Sequence, residues 1–176
     1  MTAEQFKRPE SVLVVVHTPR LECLLLERVE PQGFWQSVTG TLRWGETLAR
    51  AAVREVREET GLVCAPPLPQ ATRAQGTRAV PAIERPLPTL TETKISHRFR
   101  ILPDWRHRYA PGVTKNLEHL LYLQLPATCE PTLNAEEHIT YRWMGLEEAI
   151  DRVSSWTNRE ALERLRAFRS NRHQGA

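Results

Sequence analysis

The chain has no apolar run long enough to cross a bilayer; Val12 to Val16 is among the longest, far short of the about 20 residues a spanning helix needs. Its opening, MTAEQFKRPE, carries charges with no apolar block behind them, so it does not read as a secretion signal. Cysteine is scarce: Cys23, Cys64 and Cys129 are odd in number, widely spaced and without a CxxC pair. That argues against a disulfide framework or a cysteine-based zinc site and reads as reduced thiols. A cytoplasmic protein with no membrane partner is expected. Charge of one sign is also thin, at a net +3 with no extended basic stripe interleaved with aromatics, so no nucleic-acid partner is expected. No internal repeat is present. With 40% hydrophobic and 26% charged residues, the 176-residue chain reads as an ordinary globular protein, most simply one domain over 1–176. Oligomeric state is left open, a monomer being compatible with it.

What is present is a series of short apolar runs and three helical patterns. Ser11 to Thr18 and Leu21 to Val29 are β-branched or leucine-rich and are separated by Pro19-Arg20, which predicts two strands in a hairpin. Lys7 and Arg8 precede the first strand and Arg28 lies near the end of the second; each reads either as a capping cation or as a phosphate contact. After the turn residues Pro31-Gln32-Gly33, Phe34 to Leu42 predicts a third strand. From Ala65 to Leu90 six prolines and no sustained periodicity predict an insertion. Strands are expected again at Thr91 to Leu102, Leu117 to Leu125 and Ile139 to Met144. A short helix is expected at Leu146 to Val153, and a last helix from Thr157, where TNRE has the form of a capping box. Between them, RHRYAPGVTKN at Arg106 to Asn116 reads as a basic loop, and Glu136 and Glu137 fall in the loop before the final strand. Trp35, Trp44 and Trp105 read either as packing residues or as grips for a flat ring.

The most specific signal runs from Gly40 to Leu62, GTLRWGETLARAAVREVREETGL. Thr47 suits the N-cap of a helix and Gly61 the residue after its end, with Leu48, Ala52 and Val56 forming an apolar stripe. Glu55, Glu58 and Glu59 then share one side of the helix near its C-terminus, where they repel one another and oppose the macrodipole. A hard divalent cation resolves that conflict, and oxygen ligands suit Mg²⁺, or Mn²⁺, better than a closed zinc site. Arg54, four residues before Glu58, is placed to orient it.

Counted from Gly40, the row is glycine, five residues, Glu46, seven residues, then REVREETGL. This resembles the Nudix box, a glycine, five residues, a glutamate and seven more before Arg-Glu-aliphatic-x-Glu-Glu-x-Gly-aliphatic, at every fixed position. Further stretches, KRP at Lys7, FWQSVTG at Phe34, HRYAPGVT at His107, EH at Glu137 and SW-NR at Ser155, are similar to the bacterial dihydroneopterin triphosphate diphosphatases within that family. The resemblance implies an α/β/α sandwich with a mixed sheet and a metal-assisted hydrolysis that releases pyrophosphate from a small-molecule triphosphate. It implies Glu55 and Glu59 as metal ligands, Glu58 as a further ligand or base, and Glu137 as completing the metal site and a candidate general base. It implies Lys7, Arg28, Thr39 and Ser155 as substrate contacts and, more weakly, Phe99 as a stacking residue. A general nucleoside triphosphate pyrophosphohydrolase is the competing enzymatic reading, and a non-catalytic nucleotide-binding module the competing reading of another class.

Overall fold

The computed structural model describes residues 6–67 and 86–173, with side chains as far as residue 168. Its centre is β1 (Glu10–His17), which lies parallel to β6 (Lys115–Gln124) from Glu10↔Leu117 to His17↔Gln124. Both strands are covered on both faces, which is why they read as near-continuous apolar runs. On one face Val12, Val14, Val16, Leu121 and Leu123 meet helix α1 (Leu48–Thr60). On the other, Leu13, Val15, Leu120 and Tyr122 meet α2 (Leu146–Arg152) and α3 (Trp156–His173). Strand periodicity of two therefore divides one sequence run between two cores, giving the α/β/α layering.

The sheet is mixed, in the order β3 (Trp35–Gln36), β2 (Glu22–Arg28), β1, β6, β5 (Leu90–Arg100), with β4 (Val38–Thr41) joined to β1 and β7 (His138–Gly145) to β2. The expected hairpin is reduced to one registered pair, His17↔Cys23. Strand β2 (Glu22–Arg28) instead pairs along its length with β7 (His138–Gly145), while β4 (Val38–Thr41) occupies the start of β1. The single strand expected over Phe34 to Leu42 is likewise split into β3 (Trp35–Gln36) and β4. At the break, the Ser37 amide donates to Asn158 Oδ1 at 2.7 Å and the Asn158 amide group donates to Ser37 Oγ at 2.9 Å, so α3 takes the main-chain donor a strand would have used.

Helix α3 starts at Trp156, one residue before the expected Thr157. Ser155, not Thr157, fills the capping position: its Oγ accepts the Asn158 amide at 3.2 Å and its carbonyl the Arg159 amide at 3.1 Å. Strand β5 (Leu90–Arg100) pairs antiparallel with β6, and a 3₁₀ turn at Pro103–Arg108 interrupts the basic loop. Most of the expected insertion, residues 68–85, lies outside the described residues. Its flanks are tied together, the Ala65 amide donating to Pro88 O at 2.8 Å and the Leu90 amide to Ala65 O at 3.0 Å.

Candidate active site

The glycine-containing loop and α1 are locked by one guanidinium. Gly45, at φ +76°, turns the chain so that the Glu46 carboxylate accepts the Arg43 amide at 3.0 Å. Arg54 then donates to both Glu46 oxygens, at 2.9 and 2.8 Å, to Glu55 at 2.6 Å, to Glu58 at 2.9 Å and to the Thr41 carbonyl at 3.1 Å. These bonds, opposed by desolvation, hold the Glu46 carboxyl below the usual range. Thr47 caps the helix by accepting the Arg50 amide at 3.4 Å, and Gly61, at φ +67°, ends it with its amide on Arg57 O at 2.9 Å.

Within this frame the three helix carboxylates separate. Glu58 is outside, shared between Arg54 and Arg43, the latter at 3.1 Å. Glu55, 8% exposed, and Glu59, 2% exposed, are buried beside the apolar stripe. Glu55 fits because residue 40 is glycine: a Cβ there would lie 1.8 Å from Glu55 Cδ. Desolvation pushes the Glu55 carboxyl up to about 7; Arg54 opposes the shift, while Glu59 and Glu58 add to it. Glu59 is raised for the same leading reason, with His138 opposing and Glu137 adding to it. Its Oε2 accepts the Thr39 amide at 3.4 Å and lies 3.3 Å from His138 Nε2, without the alignment of a hydrogen bond.

Glu137 comes to the same place from far along the chain. The turn holding it is docked by the Val29 amide on Glu137 O at 2.9 Å, and Asn134 Nδ2 donates to its carboxylate at 3.1 Å. Ligand-capable atoms of Glu59, Glu137 and His138 lie within 4.8 Å of one another. Two buried carboxylates with raised pKa values beside an exposed third are a donor set short of positive charge, and a divalent cation fits it.

The rim is basic. The Lys7 amide donates to Arg108 O at 2.8 Å. Its ammonium, exposed by area yet crowded by protein, has its pKa lowered first by desolvation and then by Arg108, with Glu55 and Glu137 acting the other way and Arg28 adding to the lowering. The Lys7 ammonium therefore lies close to Glu55 and Glu137, with Arg108 and Arg28 near it. Arg28 stacks over Trp105, 5.5 Å from the ring centroid. Thr39 sits one residue from Gly40 and its hydroxyl accepts Gln36 Nε2 at 3.1 Å. Phe99 is half-buried on β5, opposite Asn116. Of the tryptophans, Trp35 is a core residue, while Trp44 is exposed and donates to Phe6 O at 2.8 Å.

A family model, NUDIX domain, matches residues 7–165. The chain belongs to the Nudix family. Two similar relatives are the dihydroneopterin triphosphate diphosphatases of Escherichia coli strain K12, 36% identical over 94% of this chain and 97% of the relative, and of Haemophilus influenzae, 31% identical over 91% and 89%. The solved E. coli dihydroneopterin triphosphate pyrophosphohydrolase superposes with a TM-score of 0.69 at 34% identity, covering 90% of this chain and 95% of that one. A Nudix hydrolase structure from Listeria monocytogenes, at 20% identity and a TM-score of 0.68, shares the fold. The Nudix box accounts for α1 and its loop. Two neighbours of the site, His138 and Arg108, were not among the residues expected there: His138 falls just before the strand expected at Ile139 to Met144, and Arg108 reads as one cation among several in a loop. The pairing of Glu137 with His138 was the available signal.

Proposed function

We propose that this Nudix chain hydrolyses dihydroneopterin triphosphate to the monophosphate and pyrophosphate with a divalent cation, Mg²⁺ or Mn²⁺, held by Glu55, Glu59 and Glu137. The observation that carries the reaction is the convergence of Glu59, Glu137 and His138 beside the buried Glu55; the choice of substrate is supported by full-length similarity to relatives of that name. A cation held by these carboxylates would neutralise phosphate charge and lower the pKa of water. His138 Nε2, 3.3 Å from Glu59 Oε2, stands close enough to steady that carboxylate.

The remaining roles belong to the chain's own side chains. Lys7 and Arg28, with Arg108, draw the triphosphate to the rim and fix its orientation. Glu137 takes the proton of the attacking water as a new P–O bond forms and the anhydride P–O bond breaks, the electron pair leaving with pyrophosphate. Glu58 is the weaker candidate for that base, because two guanidiniums already hold it, whereas Asn134 leaves one Glu137 oxygen open. Thr39 and Ser155 flank the substrate as hydrogen-bonding hydroxyls, and Phe99 supplies a ring face.

The test is a substrate panel with Mg²⁺: dihydroneopterin triphosphate against the common dNTPs and NTPs, following kcat/KM and separating pyrophosphate from phosphate. A clear preference for the pteridine with pyrophosphate release is expected. Equal or better rates on dNTPs would replace it with a general pyrophosphohydrolase, and no turnover of any triphosphate would leave a binding module.

A further inference from the structure

On the α3 face of the sheet, next to the site, a block of buried polar side chains lies short of partners. Strand pairing places Thr41 opposite Ser11, Ser11 opposite Glu118 and Glu118 opposite His97, in one row. One step along, Asn116 lies opposite Phe99. Paired residues share a face, and residues two apart on β6 do too, so Asn116, Glu118, His97 and Phe99 form a patch beside the Thr39–Thr41 edge. Glu118 is 6% and Asn116 4% exposed. Glu118 accepts a hydrogen bond from Thr157, and Asn116 Nδ2 donates to Ser11 Oγ at 2.6 Å. Glu118 Oε2 and Asn116 Oδ1 have no partner among the described residues.

Such atoms are costly in a folded protein, and a buried acceptor without a donor marks a place where a donor arrives. Here two unsatisfied acceptors stand two residues apart. The patch connects to the phosphate rim: Tyr109, next to Arg108, bonds Thr41, and Thr41 lies two strand spacings, about 10 Å, from Glu118. That is within the reach of a triphosphate tail.

We propose that Glu118 and Asn116 form the ring-recognition subsite, reading the 2-amino-4-oxopyrimidine edge that a reduced pterin and guanine share, with Phe99 against the ring face. The inference rests on the pyrophosphohydrolase reading above and specifies what that site selects. Beside His97, whose ring nitrogens also lack a hydrogen bond among the described residues, these two acceptors select against most rings. Adenine and cytosine set a ring acceptor beside their amino donor, which would face the carboxylate, and thymine flanks its one N–H with two carbonyls. Only the 2-amino-4-oxo edge offers a ring N–H and an amino N–H side by side, which a carboxylate takes in two parallel bonds. Two such donors also offset the desolvation that raises the Glu118 pKa in the free protein, which Thr157 and His97 only partly oppose.

The test compares dGTP with dITP, which differ only in the 2-amino group, by kcat/KM in Mg²⁺ and by calorimetric binding in EDTA, where turnover plays no part. Wild-type protein should favour dGTP by about 10-fold or more in each measurement. Glu118→Gln turns an amide donor towards the ring donors and should bring the ratio close to unity, because dGTP loses two paired bonds where dITP loses one. Glu118→Asp, which keeps the charge but withdraws it, should do the same and serves if the first variant does not fold. A wild-type ratio near unity, binding of neither nucleotide, or equal losses on both nucleotides in the variants would overturn the proposal. Dihydroneopterin triphosphate run beside dGTP separates the two sources of the edge. No turnover of the pteridine with the dGTP/dITP preference intact would refute the substrate proposed above and leave this subsite standing.

Discussion

Replacing Gly40 with alanine should disable the enzyme with little effect on its stability. The added Cβ would lie 1.8 Å from Glu55 Cδ, 2.0 Å from Oε1 and 2.3 Å from Cγ. Ordinary carbon contacts need about 3.5 Å, so the carboxylate must move by more than an ångström. It can move, because the obstructed atoms are the far end of a flexible side chain, and Gly40 has no positive φ to forbid alanine. Its departure breaks the 2.6 Å bond from Arg54 but releases a buried carboxylate whose pKa is pushed up to about 7. Alanine in a strand also gains about 0.5–1 kcal/mol over glycine. These effects offset one another to within about 1 kcal/mol, or about 2–4 °C in Tm for a protein of this size. Catalysis has no such compensation, since a ligand displaced by about 1 Å costs about 100-fold. Thermal melts paired with kcat at saturating Mg²⁺ check this. A Gly40→Ala protein within about threefold of wild-type kcat, with unchanged metal dependence, would show that Glu55 is not needed where it sits.

Three other outcomes follow from the same geometry. Glu59→Gln should abolish Mg²⁺-dependent turnover while the metal-free Tm stays equal or rises, because burial disfavours the charge that is removed; undiminished activity would sink its role as a ligand. Arg54→Lys keeps the charge but loses the fork that serves Glu46, Glu55, Glu58 and the Thr41 carbonyl. It should destabilise by about 2–4 kcal/mol, seen as a fall of roughly 5–15 °C in Tm, and a Tm within about 2 °C of wild type would refute that reading. Metal-free protein should lose stability as pH rises from about 4.5 to about 7, because Glu55 holds a proton in the folded state that it has lost in the unfolded chain, and Glu59 acts in the same direction. Mg²⁺ affinity should rise through that same window as the proton competitor leaves; urea melts and metal titrations at pH 5 and 8 that show no such trends would contradict the electrostatics.

The sequence by itself determined the local features, because their causes are local. The helix of the Nudix box, its Thr47 and Gly61 ends, its apolar stripe and the pairing of Arg54 with Glu58 are read from residues four or fewer apart, where helix geometry leaves little choice. Strand existence followed from apolar runs in the same way. Only the tertiary structure decided which edges meet. The hairpin gave way because β2 finds a longer partner in β7 and β4 takes its place beside the start of β1. The strand at Phe34 to Leu42 broke because Asn158, far along the chain, takes the hydrogen bonds of Ser37. The same holds for the site. Glu55, Glu58 and Glu59 look alike in the sequence, yet the fold buries two of them and leaves the third with Arg43, and it brings His138 up against Glu59. Burial and non-local hydrogen bonding depend on what the rest of the chain packs against each residue, and spacing along the chain carries no record of that.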